Sequence, residues 1–176
     1  MPSRRGNTLS DRVGKHVLKS IDSNFISYSF LARGSDERQY CAPGVDLPVT
    51  SLMRSKYDEY PEYHTSLDNL SLISPSGLNG GLNALIKSLE AIENNCFPRA
   101  MVLGEPQLGK RGLYPEISTK ESTAQVCTML DLLAYSDGSI DLIEIAEKID
   151  TPIWELYEML QKLISHGLLE APKEIS

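Results

Sequence analysis

Residues 25–36 read FISYSFLARGSD. The first six are rich in aromatic and β-branched types, and Arg33-Gly34-Ser35-Asp36 follows as a polar loop. That order predicts a strand over 25–30 with a loop at its C-terminal end. Upstream, Thr8 precedes Leu9, Val13 and Val17, spaced every four residues, with Asp11 in the first turn. This predicts a capped helix with one apolar face. Helix, strand and polar loop in succession is an α/β pattern, in which ligands bind outside the carboxyl ends of strands.

Downstream, Cys41-Ala42-Pro43-Gly44 reads as a turn and LPVTSLM, 47–53, as a second short strand. A polar loop dense in tyrosine runs from Tyr57 to Tyr63 and leads to His64. Leu78, Leu82, Leu85, Ile86, Leu89 and Ile92 then trace an amphipathic helix ending near Asn94-Asn95. Two strands are too few for a stable parallel sheet covered by helices, so further strands or a partner chain are expected.

Residues 96–117 contain Pro98, Pro106 and Pro115 with Gly104, Gly109 and Gly112, and read as a linker or arm. Beyond it, Ser118 and Glu121 form a capping-box signature before Val126, Met129, Leu130 and Leu133. Asp141 and Glu144 repeat it before Leu142, Ile145, Ala146 and Ile149. Thr151-Pro152 opens a third helix with Leu156, Leu160 and Leu163 on its core face. His166-Gly167 stops that helix, and Leu168-Leu169-Glu170 reads as a short strand. Three helices and a strand outline a winged helix-turn-helix over 118–172.

Charge divides the chain in the same place. Residues 1–117 balance 13 Lys+Arg against 13 Asp+Glu, whereas 118–176 hold 4 against 11, the whole net charge of −7. The candidate recognition helix carries Lys162 against Glu155 and Glu158. Phosphate contacts need cations, so nucleic acid is not the expected partner. Trp154 and Tyr157 lie off the leucine stripe; they either anchor a partner surface or fill the module's own core. No apolar run approaches the ~20 residues of a membrane helix. The arginines of MPSRRGNTLSDRV precede no apolar stretch, so a membrane or export role is not expected, and a cytoplasmic location is. Cys41, Cys96 and Cys127 are widely spaced and expected to be small buried residues.

Two stretches could carry chemistry. His64 stands among carboxylates and tyrosines, either as a metal ligand or as a loop histidine with local hydrogen bonds. Asp36 and Glu37 could bind a metal or act as acid and base. Equally, Asp36 could cap a short helix while Glu37 pairs with Arg38 on the surface.

GSDERQYCAPGVDLPV, 34–49, and EYPEYHTSLDNL, 59–70, resemble paired motifs of the zinc-dependent aminopeptidase superfamily. There a Ser-Asp-x segment precedes a Pro-containing strand, and a Tyr/Trp-His-Thr-x-x-Asp segment follows. SRRGNTLSDR, SDERQYC-x-PG, LPV-x-x-LMR, EYHTS-x-DN and LGEPQLGKRGLYP together resemble a narrower bacterial family. Its members are described as polysaccharide-biosynthesis proteins with an aminopeptidase-like domain. The resemblance implies a partial phosphorylase/hydrolase-like aminopeptidase domain over 1–95, followed by a winged helix. It implies zinc as cofactor, His64 as the last zinc ligand and Asp36 as a group beside the metal. Asp68 would support the His64 loop, and Glu37, Arg38, Tyr40, Arg54 and Tyr63 would line the pocket or stand behind it. The superfamily's site also needs an earlier histidine, a bridging aspartate and further acids, which this chain does not supply. The implied chemistry is metal-assisted hydrolysis of a peptide or amide, in a site completed by a missing N-terminal half or a partner chain, with a homo-oligomer as a further expected assembly. The alternative expectation is a non-catalytic scaffold acting through the acidic winged helix.

Overall fold

The computed structural model describes residues 1–113 and 120–173, with side chains from residue 123 onward in the second stretch. The chain divides into two compact units, Met1–Ile92 and Glu93–Ser176. Each is described by itself.

In the first unit, helix α1 spans Leu9–Ile21. The Asp11 carboxylate turns back to the start of its own helix and accepts the Thr8 backbone N–H at 3.0 Å and the Thr8 hydroxyl at 2.7 Å. Val13 and Val17 are fully buried, and Leu9, the third member of the expected face, is exposed. His16 is 3% exposed, deeper than its place on a surface helix suggests. α1 lies close to the 50–52 segment. A methyl group on Gly14 would stand 3.1 Å from both Leu52 Cδ2 and Thr50 Cγ2, so the glycine sets that approach.

Neither expected strand of this unit forms. Residues 25–29 run extended into a single 3-10 turn, Phe30–Ala32, with Ile26 and Leu31 exposed. The 47–53 segment belongs to no sheet either, and its Val49 N–H turns back onto the Leu47 carbonyl at 2.9 Å. β-propensity reflects a pleated surface paired to neighbours, and no described strand lies alongside to pair with either segment. Ser51 instead exchanges backbone hydrogen bonds with Met1, at 2.8 and 2.9 Å. Cys41, fully buried, donates its thiol to the Leu47 carbonyl at 3.2 Å. Helix α2 is a single turn, Glu37–Tyr40, and turns occupy most of 54–72. Helix α3 spans Pro75–Asn94.

The second unit is a small helical module with a two-stranded antiparallel sheet. Strand β1, Arg99–Ala100, pairs with β2, Leu169–Glu170, in the register Arg99↔Glu170 and Ala100↔Leu169. Phe97 N–H to the Pro172 carbonyl (2.8 Å) and Met101 N–H to the Leu168 carbonyl (2.9 Å) extend the pairing. The start of the stretch read as an arm is thus the strand that completes the wing. A 3-10 turn at Leu108–Arg111 buries Leu108, and Leu113 follows it into the core.

Helix α4 (Lys120–Tyr135) buries Met129, Leu132 and Leu133. The Ser118–Glu121 capping signature lies outside the described residues. Helix α5 (Leu142–Lys148) is capped by Asp141, which accepts the Glu144 N–H at 3.0 Å. Asn95 reinforces that cap. Its amide donates to Asp141 at 3.0 Å, and its carbonyl oxygen accepts the Ile143 N–H at 3.2 Å. Helix α6 (Ile153–Ser165) starts one residue after Pro152 and buries Ile153, Leu156, Leu160 and Leu163. Gly167, at φ 65°, closes it, with Leu168 N–H on the Leu163 carbonyl at 3.0 Å. Trp154 and Tyr157 are half-buried. Cys96 is buried as expected, but Cys127 is exposed, because it falls on the outer face of α4. No described helix is long and apolar enough to cross a membrane.

Candidate functional site

Glu37 is the anchor of the region where the two candidate segments meet. It is 3% exposed and does not pair with Arg38 at the surface. One carboxylate oxygen accepts the backbone N–H of Gly34 at 2.8 Å, that of Ser35 at 2.9 Å and the Tyr57 hydroxyl at 3.0 Å. Burial pushes the carboxyl up, but the hydrogen bonds from Ser35, Gly34 and Tyr57 outweigh it and hold Glu37 below its ordinary range. Burial and the same bond to Glu37 push the Tyr57 phenol up. Both shifts describe a tyrosine that donates to an ionised glutamate.

Gly34 is required for this contact. A methyl group there would sit 2.7 Å from Tyr57 Cε2, closer than side-chain carbons approach. The Tyr57 ring is therefore seated directly on the backbone of the Ser-Asp-Glu turn.

From Tyr57 the aromatic contacts run outward to His64. The Tyr57 and Tyr63 ring centroids are 6.4 Å apart, and Tyr60 meets Tyr63 edge-on at 5.5 Å. Tyr63 stacks on the His64 imidazole at 4.1 Å with 14° between planes. His64 itself is exposed and takes φ 57°, a left-handed conformation uncommon outside glycine. Thr65, the next residue, donates its hydroxyl to the Glu62 carbonyl at 2.7 Å and accepts the Leu67 N–H at 3.2 Å. Tyr60 reaches Asp68 at 3.5 Å, at the long limit of a hydrogen bond.

Tyr28, from the stretch expected to be a strand, holds the near end of the loop. Its hydroxyl donates to Glu59 at 2.5 Å, and Glu59 pairs with Lys56 at 3.8 Å. The Lys56 ammonium lies over the Tyr57 ring at 4.6 Å and over Tyr28 at 5.6 Å.

Glu37, Tyr63, His64 and Asp68 are thus joined through Tyr57 and Tyr60. Asp36 occupies the N-cap position of α2, but its side chain makes no capping bond. Arg38 donates to the Ser35 carbonyl at 3.3 Å, and Tyr40 is half exposed. Arg54 lies elsewhere: its guanidinium sits where a methyl group on Gly80 of α3 would go, 2.5 Å from that position. The pairing of Tyr57 with Gly34 is a tertiary contact across twenty-three residues and has no local signature in the sequence.

A zinc ion, tested against these residues, lacks a coordination sphere. Among the described residues no group of three or more His, Cys, Asp or Glu is placed to hold a metal. His64 is a single accessible imidazole, and a tetrahedral site takes three or four protein ligands.

A second polar cluster fixes the fold beside this region. Asp11 accepts five hydrogen bonds: Ser3 N–H and hydroxyl, both at 2.6 Å, the two from Thr8, and the Thr50 hydroxyl at 2.5 Å. Nearby, Asp46, at φ 52°, accepts Arg4 at 2.7 Å and Arg5 at 2.5 Å. Those arginines hold its carboxyl below the ordinary range.

Residues 1–95 match the family described as a domain of unknown function, DUF4910, and the chain belongs to that family. Residues 96–171 match a winged helix-turn-helix family. A Clostridium acetobutylicum protein named for polysaccharide biosynthesis, with an aminopeptidase-like domain, is 38% identical over 145 residues. The match covers 81% of this chain and 33% of that protein. A solved Clostridium acetobutylicum structure described as a peptidase superposes with a TM-score of 0.84 at 32% identity. It covers 97% of this chain, which spans 37% of its length. The chain therefore spans about a third of the length of each relative.

Proposed function

We propose that this chain is the C-terminal portion of a zinc-dependent, aminopeptidase-like hydrolase of peptide or amide bonds, acting in polysaccharide biosynthesis. The observation that carries the reading is the connection from the Ser-Asp-Glu turn to His64. Buried Glu37 seats Tyr57 on Gly34, and the tyrosine stack positions the imidazole. The same two segments carry the resemblance to the aminopeptidase superfamily, and the names of both relatives agree with it.

In this reading His64 is one ligand of a metal site whose other ligands lie outside the described residues. When bound, zinc would supply Lewis-acid polarisation of a carbonyl and an activated water. This chain's own part is to hold the imidazole. Stacking on Tyr63 fixes the ring plane of an imidazole carried on a left-handed backbone position. Asp36 stands at the same turn as Glu37 with its carboxylate free of a capping role, available to orient the neighbouring site.

The test is hydrolysis by the longest native polypeptide containing this sequence, with aminoacyl-p-nitroanilides and N-acetylated amino sugars as substrates. Chelator-sensitive release of product is expected. A polypeptide that hydrolyses neither, with zinc added, overturns the enzymatic reading in favour of a scaffold built on the acidic winged helix.

A further inference from the structure

Helix α3 packs on its unit with the wrong face for an ordinary surface helix. The side turned inward is small: Gly77, Gly80 and Ala84 are half-buried, and Ser88 and Ala91 are buried. Gly80 there admits the Arg54 guanidinium, which would stand 2.5 Å from a methyl group at that position. The side turned outward is the leucine stripe read from the sequence. Leu78, Leu82, Leu85 and Leu89 are each more than half exposed, at 62, 54, 53 and 54%, and Ile86 and Ile92 are close behind. Amphipathic helices bury such a stripe, because each covered side chain stabilises by roughly 1.5–3 kcal/mol. A contiguous exposed patch on the order of 500 Å² lies toward the upper end of the largest apolar patch on a typical monomer, and such patches are often functional.

The stripe also borders a groove. Leu85, Leu89 and Ile92 form one wall, and Val13, Gly14 and the 50–52 segment form the other, enclosing about 490 Å³. Apolar and small residues line most of it.

We infer that the α3 stripe and this groove dock the remainder of the longer polypeptide that the relatives possess, through an apolar face on that remainder. Length argues for this occupant over a second copy. The same fold, at a TM-score of 0.84, occupies only 37% of the solved relative. A tethered remainder meets the stripe at millimolar effective concentration. A symmetric pair of stripes would bury only about 1,000 Å², the lower limit of a specific interface. The inference rests on the reading of this chain as one part of a larger body. Its test reads binding without metal or turnover, so the two fail separately.

The experiment mixes the 176-residue chain with the part of the Clostridium acetobutylicum relative outside the matched third, expressed as a separate polypeptide. Affinity is measured by calorimetry, and stoichiometry by light scattering after size exclusion. A one-to-one complex is expected. Leu82→Asp/Leu89→Asp weakens it about a hundredfold, whereas Leu103→Asp, in the second unit, leaves it unchanged. Far-UV circular dichroism confirms that the variants fold, as substitutions at exposed positions should. Three results overturn the inference: no complex with a soluble remainder, equal binding by the stripe variant, or a stripe-dependent homodimer that excludes the remainder.

Discussion

Replacing Asp11 with Asn tests the polar hub that fixes α1 to the rest of its unit. Asp11 is 6% exposed and accepts all five of its hydrogen bonds as a carboxylate. Burial pushes its pKa up. The hydrogen bonds from Ser3, Thr50 and Thr8 more than reverse that, taking it from 3.8 to about 2. At about 1.4 kcal/mol per unit, the shift is worth on the order of 2 kcal/mol. Because the folded-state pKa lies below the unfolded one, this stability is fully present above pH 3.8 and is lost as pH falls through about 2. Asn keeps the shape but turns an NH₂ group toward donors, leaving at least one donor of the buried cluster unpaired. A cost of about 2–4 kcal/mol at pH 7 follows. Urea unfolding is followed through the amide signals of Ser3, Thr8 and Thr50. Trp154, the chain's one tryptophan, reports the second unit separately. The variant should unfold at lower urea at pH 7, and its deficit should shrink at pH 2. A variant within 0.5 kcal/mol of wild type at pH 7, the size of an ordinary surface change, would refute the reasoning.

Gly34→Ala should destabilise the first unit by about 1–3 kcal/mol, since the new methyl group displaces the Tyr57 ring; a midpoint shift in thermal melting measures it. Tyr57→Phe keeps the ring and removes the donor to Glu37. It should cost about 1–2 kcal/mol and raise the Glu37 pKa, read from carboxyl carbon shifts across a pH titration. With a thiol reagent at pH 8, Cys127 should react fast while the native chain protects Cys41 and Cys96. Burial pushes the Cys96 thiol up to about 11. Rapid reaction of all three in the folded protein would contradict their burial.

Helices were legible where periodicity and caps coincide. Asp141 and the Leu156, Leu160, Leu163 stripe placed α5 and α6 within a residue or two, and Gly167 stopped α6 as read. The expected strands 25–30 and 47–53 failed for a physical reason. Their composition suits a sheet, but pairing requires a neighbour that local sequence does not specify. Tyr28 shows what the first segment does instead, bracing Glu59 and through it the tyrosine loop. The six apolar positions of α3 announced a helix correctly, but not which way it would face. The small residues at 77, 80, 84, 88 and 91 held the inner side. At the site, His64 and the Ser-Asp-Glu turn stood out singly. Their link through Tyr57 and Gly34 did not, because a contact made by the absence of a side chain leaves no pattern.

Metal content is the sharpest test of the proposal that His64 holds zinc in a site this chain only partly builds. The longest native polypeptide containing the sequence is purified with and without His64→Ala, dialysed and analysed by mass spectrometry of the metal. Stoichiometric zinc is expected in the wild type and at least a tenfold weaker hold in the variant, the scale on which even the groups that orient a ligand act. Equal zinc in both proteins would contradict it.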